Sequence, residues 1–164
     1  KVLQADGLLL ASPVYIGRLS GYLACFLDRL RVFAFGNLYQ GKLHNKVGGA
    51  LSVAWLRNAG VETTLISILS AFMGLEMIPV GPRHGLGALG GAGGLSSDHG
   101  TGKFDPKDKL GVLKDEYGLR GARSLGQRIA EVSKLLKAGA SSYSKTTSAS
   151  SSTNPLSDRP STLV

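Results

Sequence analysis

Apolar residues along the first part of the chain fall into two alternating patterns. Asp6-Gly7-Leu8-Leu9-Leu10-Ala11 is a short, continuous apolar run closed by Ser12-Pro13. Such a run suits a strand buried on both faces, as in a parallel sheet. From Leu19 to Phe33 the apolar positions Leu19, Leu23, Phe26, Leu27, Leu30 and Phe33 share one side of a helix. Ser20 or Gly17 is placed to open it. Lys46 to Ala54 predicts the next strand, and Val61 to Leu75 the next helix, with Leu65, Ile68, Leu69 and Phe72 on one face. Met77-Ile78-Pro79-Val80 predicts a third, short strand. Leu119 to Lys137 predicts a long helix with Leu125, Ile129, Val132 and Leu136 inward. Alternation at this spacing implies right-handed crossovers and an α/β, doubly wound parallel sheet.

Two segments break the pattern. Residues 85 to 102 carry glycine at 85, 87, 90, 91, 93, 94, 100 and 102, which predicts a long connecting loop. From Gly139 the sequence is dominated by Ser and Thr with almost no large apolar residues. Such a stretch cannot bury enough surface to offset ordering, so residues 139–164 are expected to form a disordered tail and residues 1–138 one domain.

At 164 residues the chain suits a single domain. Its net charge of +8 favours anionic partners. The charge is scattered, however, and mixed with acids between Lys103 and Glu131, with no basic block interleaved with aromatics. No nucleic-acid partner is expected. The single cysteine, Cys25, excludes an internal disulfide framework and a Cys-ligated metal or iron–sulfur site within these residues. Its apolar helical neighbours predict a buried, inert thiol. No apolar run is long enough to span a bilayer and no signal-peptide layout opens the sequence, so no membrane partner and a cytoplasmic location are expected. His44, His84 and His99 stand alone in loop-like settings and suggest no acid–base triad.

Ligands of doubly wound sheets sit beyond the carboxyl ends of the strands. Two loops are placed there. In the first, Ser12-Pro13-Val14-Tyr15-Ile16-Gly17-Arg18-Leu19-Ser20-Gly21, Pro13 is expected to fix the exit from the strand, Tyr15 offers a flat face and a hydroxyl, and Gly17 and Gly21 permit close backbone approach. The second, Ala54-Trp55-Leu56-Arg57-Asn58-Ala59-Gly60-Val61-Glu62-Thr63, places an aromatic, a cation and an amide at the neighbouring strand end. Trp55 suits packing or ring stacking equally.

The stretch Ala5 to Tyr15, followed by Gly17, Ser20-Gly21 and Phe26-Leu27-Asp28-Arg29, resembles the flavin-ring loop of the flavodoxin-like NAD(P)H-dependent FMN reductases, close to their iron–sulfur flavoprotein branch. Arg57-Asn58-Ala59-Gly60-Val61-Glu62-Thr63-Thr64 resembles the family's second ring-contacting loop, and Leu125 to Ala130 its C-terminal helix. The resemblance implies a flavodoxin-like fold and bound FMN, with NAD(P)H as cosubstrate. Backbone from Ser12 through Pro13, Val14, Tyr15 and Ile16 to Gly17 would hold the pyrimidine edge of the flavin, and Arg57, Asn58 and Gly60 would line the opposite edge, with Trp55 nearby. Hydride would pass from NAD(P)H through the flavin to an acceptor, in a homo-oligomer.

Departures from the family pattern carry their own expectations. The family's first strand and phosphate-cradling loop precede the stretch matched here, so the domain is expected to be N-terminally incomplete and to lack its first strands. Ala59 and Val61 stand where the family usually has Gly and Gln. These features motivate an alternative, a truncated and non-catalytic flavodoxin-like interaction module. Asp28 and Arg29 are expected to form a structural or subunit-interface ion pair.

Overall fold

The computed structural model describes residues 1–103, 105–108 and 110–150. Its strands are β1 (Gly7–Tyr15), β2 (Arg18–Leu19), β3 (Val47–Ala54), β4 (Ile78–Pro79) and β5 (Ala92–Leu95). Its helices are α1 (Gly21–Arg29), α2 (Val61–Gly74) and α3 (Glu116–Ser150). The sheet runs β2-β1-β3-β4, with β5 also on β3. β1 and β3 pair in parallel from Gly7↔Val47 to Pro13↔Val53. Because β1 fills one edge of β3, β4 and β5 share the other: β4 pairs Val47 and Gly48, and β5 pairs Leu51 to Ala54, both in parallel. Only β2 is antiparallel, folding back on Val14 and Tyr15.

Successive strand residues point to opposite faces, and two adjacent glycines of β3 show what lies on each. A Cβ on Gly48 would sit 2.6 Å from the Phe72 ring of α2, and one on Gly49 would sit 2.5 Å from Cδ1 of Ile129 on α3. Helices therefore cover both faces, as the alternating pattern implies. On the α2 side, Val61, Leu65, Ile68 and Phe72 join Leu30, Leu43, Ala50 and Ala54 in the buried cluster. Leu125 of α3 is fully buried.

Several expectations are corrected. β1 does not stop at Ser12-Pro13 but continues to Tyr15. Pro13 fits because the ladder needs no N–H there, and its carbonyl accepts the Ser12 hydroxyl at 2.7 Å. The first helix is α-helical only over Gly21–Arg29, opened by Ser20, and tightens to a 3-10 turn over Leu30–Phe33. The segment 85–102 is not one long loop, because it contains β5. Its glycines serve close packing: Cβ atoms on Gly91 and Gly93 would meet Leu65 at 2.6 Å and Val61 at 2.7 Å. Cys25 is exposed, since Leu23, Phe26, Leu27 and Leu30 turn inward and leave it on the opposite side. His44 is not alone, because its Nδ1 lies 3.1 Å from Glu76. Within the chain, Asp28 and Arg29 form no ion pair among the described residues, which corrects the structural half of that expectation and leaves the subunit-interface half; adjacent helical residues do not face each other.

By contact the chain divides into two units, Lys1–Ser133 and Lys134–Val164. Residues 139–150 of the expected disordered tail belong to α3. Ser141 and Ser142 donate to the carbonyls of Lys137 and Ala138 at 3.0 and 3.2 Å, the back-bonding that lets serine sit within a helix. The remainder of that expectation, 151–164, lies outside the described residues. Among the described residues no helix is long and apolar enough to cross a membrane.

Candidate functional site

Extension of β1 turns the first candidate loop into a β-hairpin. Val14 pairs Leu19 and Tyr15 pairs Arg18, leaving Ile16-Gly17 as the two-residue tip. Ile16 has φ 50 and Gly17 φ 73. Two left-handed residues in sequence give the turn whose twist matches a tight hairpin. Glycine takes that conformation freely, whereas a β-branched residue there is strained. The Ile16 side chain is 99% exposed and Tyr15 61%. Neither the Ile16 nor the Gly17 N–H has a backbone partner among the described residues, so the tip presents two unspent donors.

The base of the hairpin is closed. Ser12 is 2% exposed. Its hydroxyl accepts from the Ser20 N–H at 2.9 Å besides donating to Pro13. Ser20 in turn caps α1, accepting from the Leu23 N–H at 3.3 Å. Ser12, Pro13 and Val14 thus build the hairpin, and Tyr15, Ile16 and Gly17 are what it presents.

The second loop is tied to the segment after β5. Ser97 donates to the Trp55 carbonyl. The Arg57 N–H donates to the Gly100 carbonyl at 2.9 Å, and Arg57 Nη2 to the His99 carbonyl at 2.9 Å. Asn58 (φ 57) and Gly60 (φ 108) then turn the chain into α2. Here the two loops meet. A Cβ on Gly60 would lie 2.5 Å from the Gly17 carbonyl oxygen and 2.6 Å from its Cα. Thr63 Oγ1 lies 2.6 Å from that same oxygen and 3.0 Å from the carbonyl of Gly60.

The candidate residues therefore separate into two groups. Ile16, Gly17 and Gly60 are brought together at the hairpin tip. Trp55 and Arg57 instead line a cleft of about 960 Å³ with Asp98, His99, Lys114 and Tyr117. Asn58 lines a smaller pocket of about 300 Å³, to which Arg57, Leu95, Asp115 and Tyr117 also contribute. Trp55 is 48% exposed at the cleft wall. Within the cleft, the hydrogen bond and charge of Asp108, 2.7 Å away, hold the Lys114 ammonium above its ordinary pKa. Asp115 accepts from the Leu95 N–H at 2.8 Å and the Gly118 N–H at 2.9 Å, joining the end of β5 to the start of α3.

Three organising residues escape the sequence reading. Asp115 carries the signal of a helix N-cap three residues before Gly118. Thr63 lies inside the second motif, but nothing local says that its hydroxyl reaches a residue 46 positions away. Ser97 has no local signal. The family departures at 59 and 61 have a packing explanation: Val61 is buried in the core in the space left by Gly93, and Ala59 packs against the same cluster.

Comparison with known proteins agrees with this architecture. The sequence profile of the NADPH-dependent FMN reductase family matches residues 1–86. An iron-sulfur flavoprotein of Methanocaldococcus jannaschii is 41% identical over 137 residues, covering 84% of this chain and 63% of that protein. An NAD(P)H dehydrogenase (quinone) of Afipia carboxidovorans is 33% identical over 132 residues, covering 80% and 64%. The chain thus spans a little under two thirds of the length of these curated relatives. Among solved structures, the flavodoxin, WrbA-like protein from Agrobacterium tumefaciens superposes with a TM-score of 0.60 at 21% identity, covering 82% of this chain and 69% of that one, a likeness of fold. With more than half of its residues matched by the family profile, the chain belongs to the NADPH-dependent FMN reductase family.

Proposed function

We propose that this chain supplies the ring-holding part of an FMN-dependent oxidoreductase that takes hydride from NAD(P)H and passes electrons to an acceptor. The observation that carries the reading is the hairpin tip. Two unspent backbone donors, at Ile16 and Gly17, project at the carboxyl end of the sheet and are locked against Gly60. That donor set suits the carbonyl-rich pyrimidine edge of a flavin. Family membership and relatives named as flavoproteins and NAD(P)H dehydrogenases support it. Bound FMN supplies the hydride and electron-transfer chemistry. The chain's own residues bind and orient: the Ile16 and Gly17 N–H groups donate to the ring edge, Gly60 permits close backbone approach, Tyr15 flanks the tip, and Trp55, Arg57 and Asn58 reach the ring from the cleft and pocket that they line. Ser12, Pro13 and Val14 act from beneath by fixing the hairpin.

The test is anaerobic addition of NADH or NADPH to the FMN-loaded full-length protein. Bleaching of the oxidised flavin absorbance by either dinucleotide is the expected result. Bound FMN that neither dinucleotide reduces would instead favour the non-catalytic interaction module. We also infer a homo-oligomer, a reading that the exposed Tyr22, Phe35 and Leu38 support. A purely monomeric mass by light scattering would contradict it.

A further inference from the structure

We infer that Thr63 is a positioning residue that sets the flavin-facing tip of the hairpin without itself facing the ring. The inference rests on the flavin reading above and adds a residue to it. The tip has an intrinsic reason to move: Ile16 holds a left-handed conformation that its branched side chain disfavours, and that side chain is in solvent rather than packed. Something outside the turn must hold it. Among the described residues, the cap and first turn of α2 supply two contacts to the tip, from Gly60 and from Thr63.

Gly60 presents bare backbone against Gly17, which brings the two chains within reach. Thr63, one turn into α2, then places its hydroxyl 2.6 Å from the Gly17 carbonyl oxygen and 3.0 Å from that of Gly60. A hydroxyl has one proton to donate. The shorter approach, at a normal O–H···O length, gives it to Gly17. The Gly17 carbonyl is therefore directed at α2. Since the peptide is planar, that fixes the Gly17–Arg18 plane through which the tip returns into β2, and the Gly17 N–H is held one Cα before that plane, through the Gly17 dihedrals (φ 73). The helix start and the hairpin act as one rigid wall, joined across 46 residues of sequence by one hydroxyl.

The experiment compares Thr63→Val, which keeps the shape and removes the donor, with Thr63→Ser, which keeps the donor, in the full-length protein. Three quantities are read: amide hydrogen exchange of the peptide spanning residues 16–18 in flavin-free protein, the FMN dissociation constant, and the flavin absorbance spectrum. Thr63→Val is expected to speed exchange at the tip and weaken FMN binding by about fivefold, the loss of one hydrogen bond's worth of order. It should also shift the bound-flavin spectrum. Thr63→Ser is expected to match wild type in all three. Unchanged tip exchange in Thr63→Val overturns the clasp. Faster exchange with unchanged FMN affinity and spectrum overturns its positioning role. Absence of FMN binding by the wild-type protein overturns the functional reading, and this inference with it, a result distinct from a loss confined to Thr63→Val.

Discussion

Ile16 and Gly60 show opposite faces of left-handed backbone. Ile16 tolerates a positive φ at a cost, and its exposed side chain recovers nothing by burial. Ile16→Asn, which accepts that conformation more readily, is expected to stabilise the fold by about 1 kcal/mol, read as a higher urea midpoint at unchanged slope. A lower midpoint would show that the isoleucine makes stabilising contacts. Gly60 has no such latitude. Alanine there combines φ 108 with a Cβ 2.5 Å from the Gly17 carbonyl oxygen. Gly60→Ala is expected to destabilise by about 3 kcal/mol, the sum of backbone strain and overpacking. At this scale the sequence revealed which residues mattered more readily than what they did. Gly17 was legible as a point of close backbone approach and Gly60 through the resemblance of its loop; the left-handed turns were not, since Ile16 and Asn58 share them with the glycines. Ser12 was legible as a loop residue yet works as a buried crosslink, because its partner, the Ser20 N–H, becomes adjacent only after the hairpin closes. Cys25 was misjudged because apolar sequence neighbours are not spatial neighbours on a helix.

Among the elements, the contacts of β3 are set by what its glycines leave out. Gly48 admits Phe72 from one side and Gly49 admits Ile129 from the other. Gly48→Ala is expected to cost about 2 kcal/mol through overpacking. Combining it with Phe72→Leu should cost less than the two single changes added together, since the smaller side chain vacates the space the new methyl needs. Strict additivity in a double-mutant cycle would refute the contact. The helical and strand periods located α2, β3 and, on α3, the inward Leu125 and Ile129 from sequence, because these positions pack against the sheet. β5 was illegible for a physical reason: its Ala92-Gly93-Gly94 run carries one methyl group and two glycines, too little to show a period, and its order comes from α2 and β3 around it. The helical continuation through 139–150 was hidden by serine content, which propensity alone reads as loop.

Across the whole molecule, the segment between β4 and β5 is held to α3 by charge. Arg83 and Arg128 both reach the Glu131 carboxylate, with Arg128 at 3.0 Å. The hydrogen bond from Arg128, followed by that from Arg83, holds the Glu131 carboxyl below its ordinary pKa. A folded-state pKa below the unfolded value means that the stabilisation is present above the unfolded value, roughly 4.3, and lost as pH falls through the folded one. Glu131→Gln should therefore lower stability at pH 7, with the gap to wild type closing in acid. A gap that stays constant between pH 7 and the acid limb would show that the ion cluster contributes nothing. The fold class was legible at this scale from alternation alone. The meeting of the two candidate loops was not, since it depends on how β1 and β3 pair in register. The most direct measurement of the central claim is titration of the purified full-length protein with FMN, followed by quenching of flavin fluorescence, beside the Gly60→Ala variant. Saturable binding by the wild type, weakened in the variant while its circular dichroism shows that the fold persists, is the result predicted. A folded wild-type protein that leaves FMN fluorescence unchanged would contradict the account.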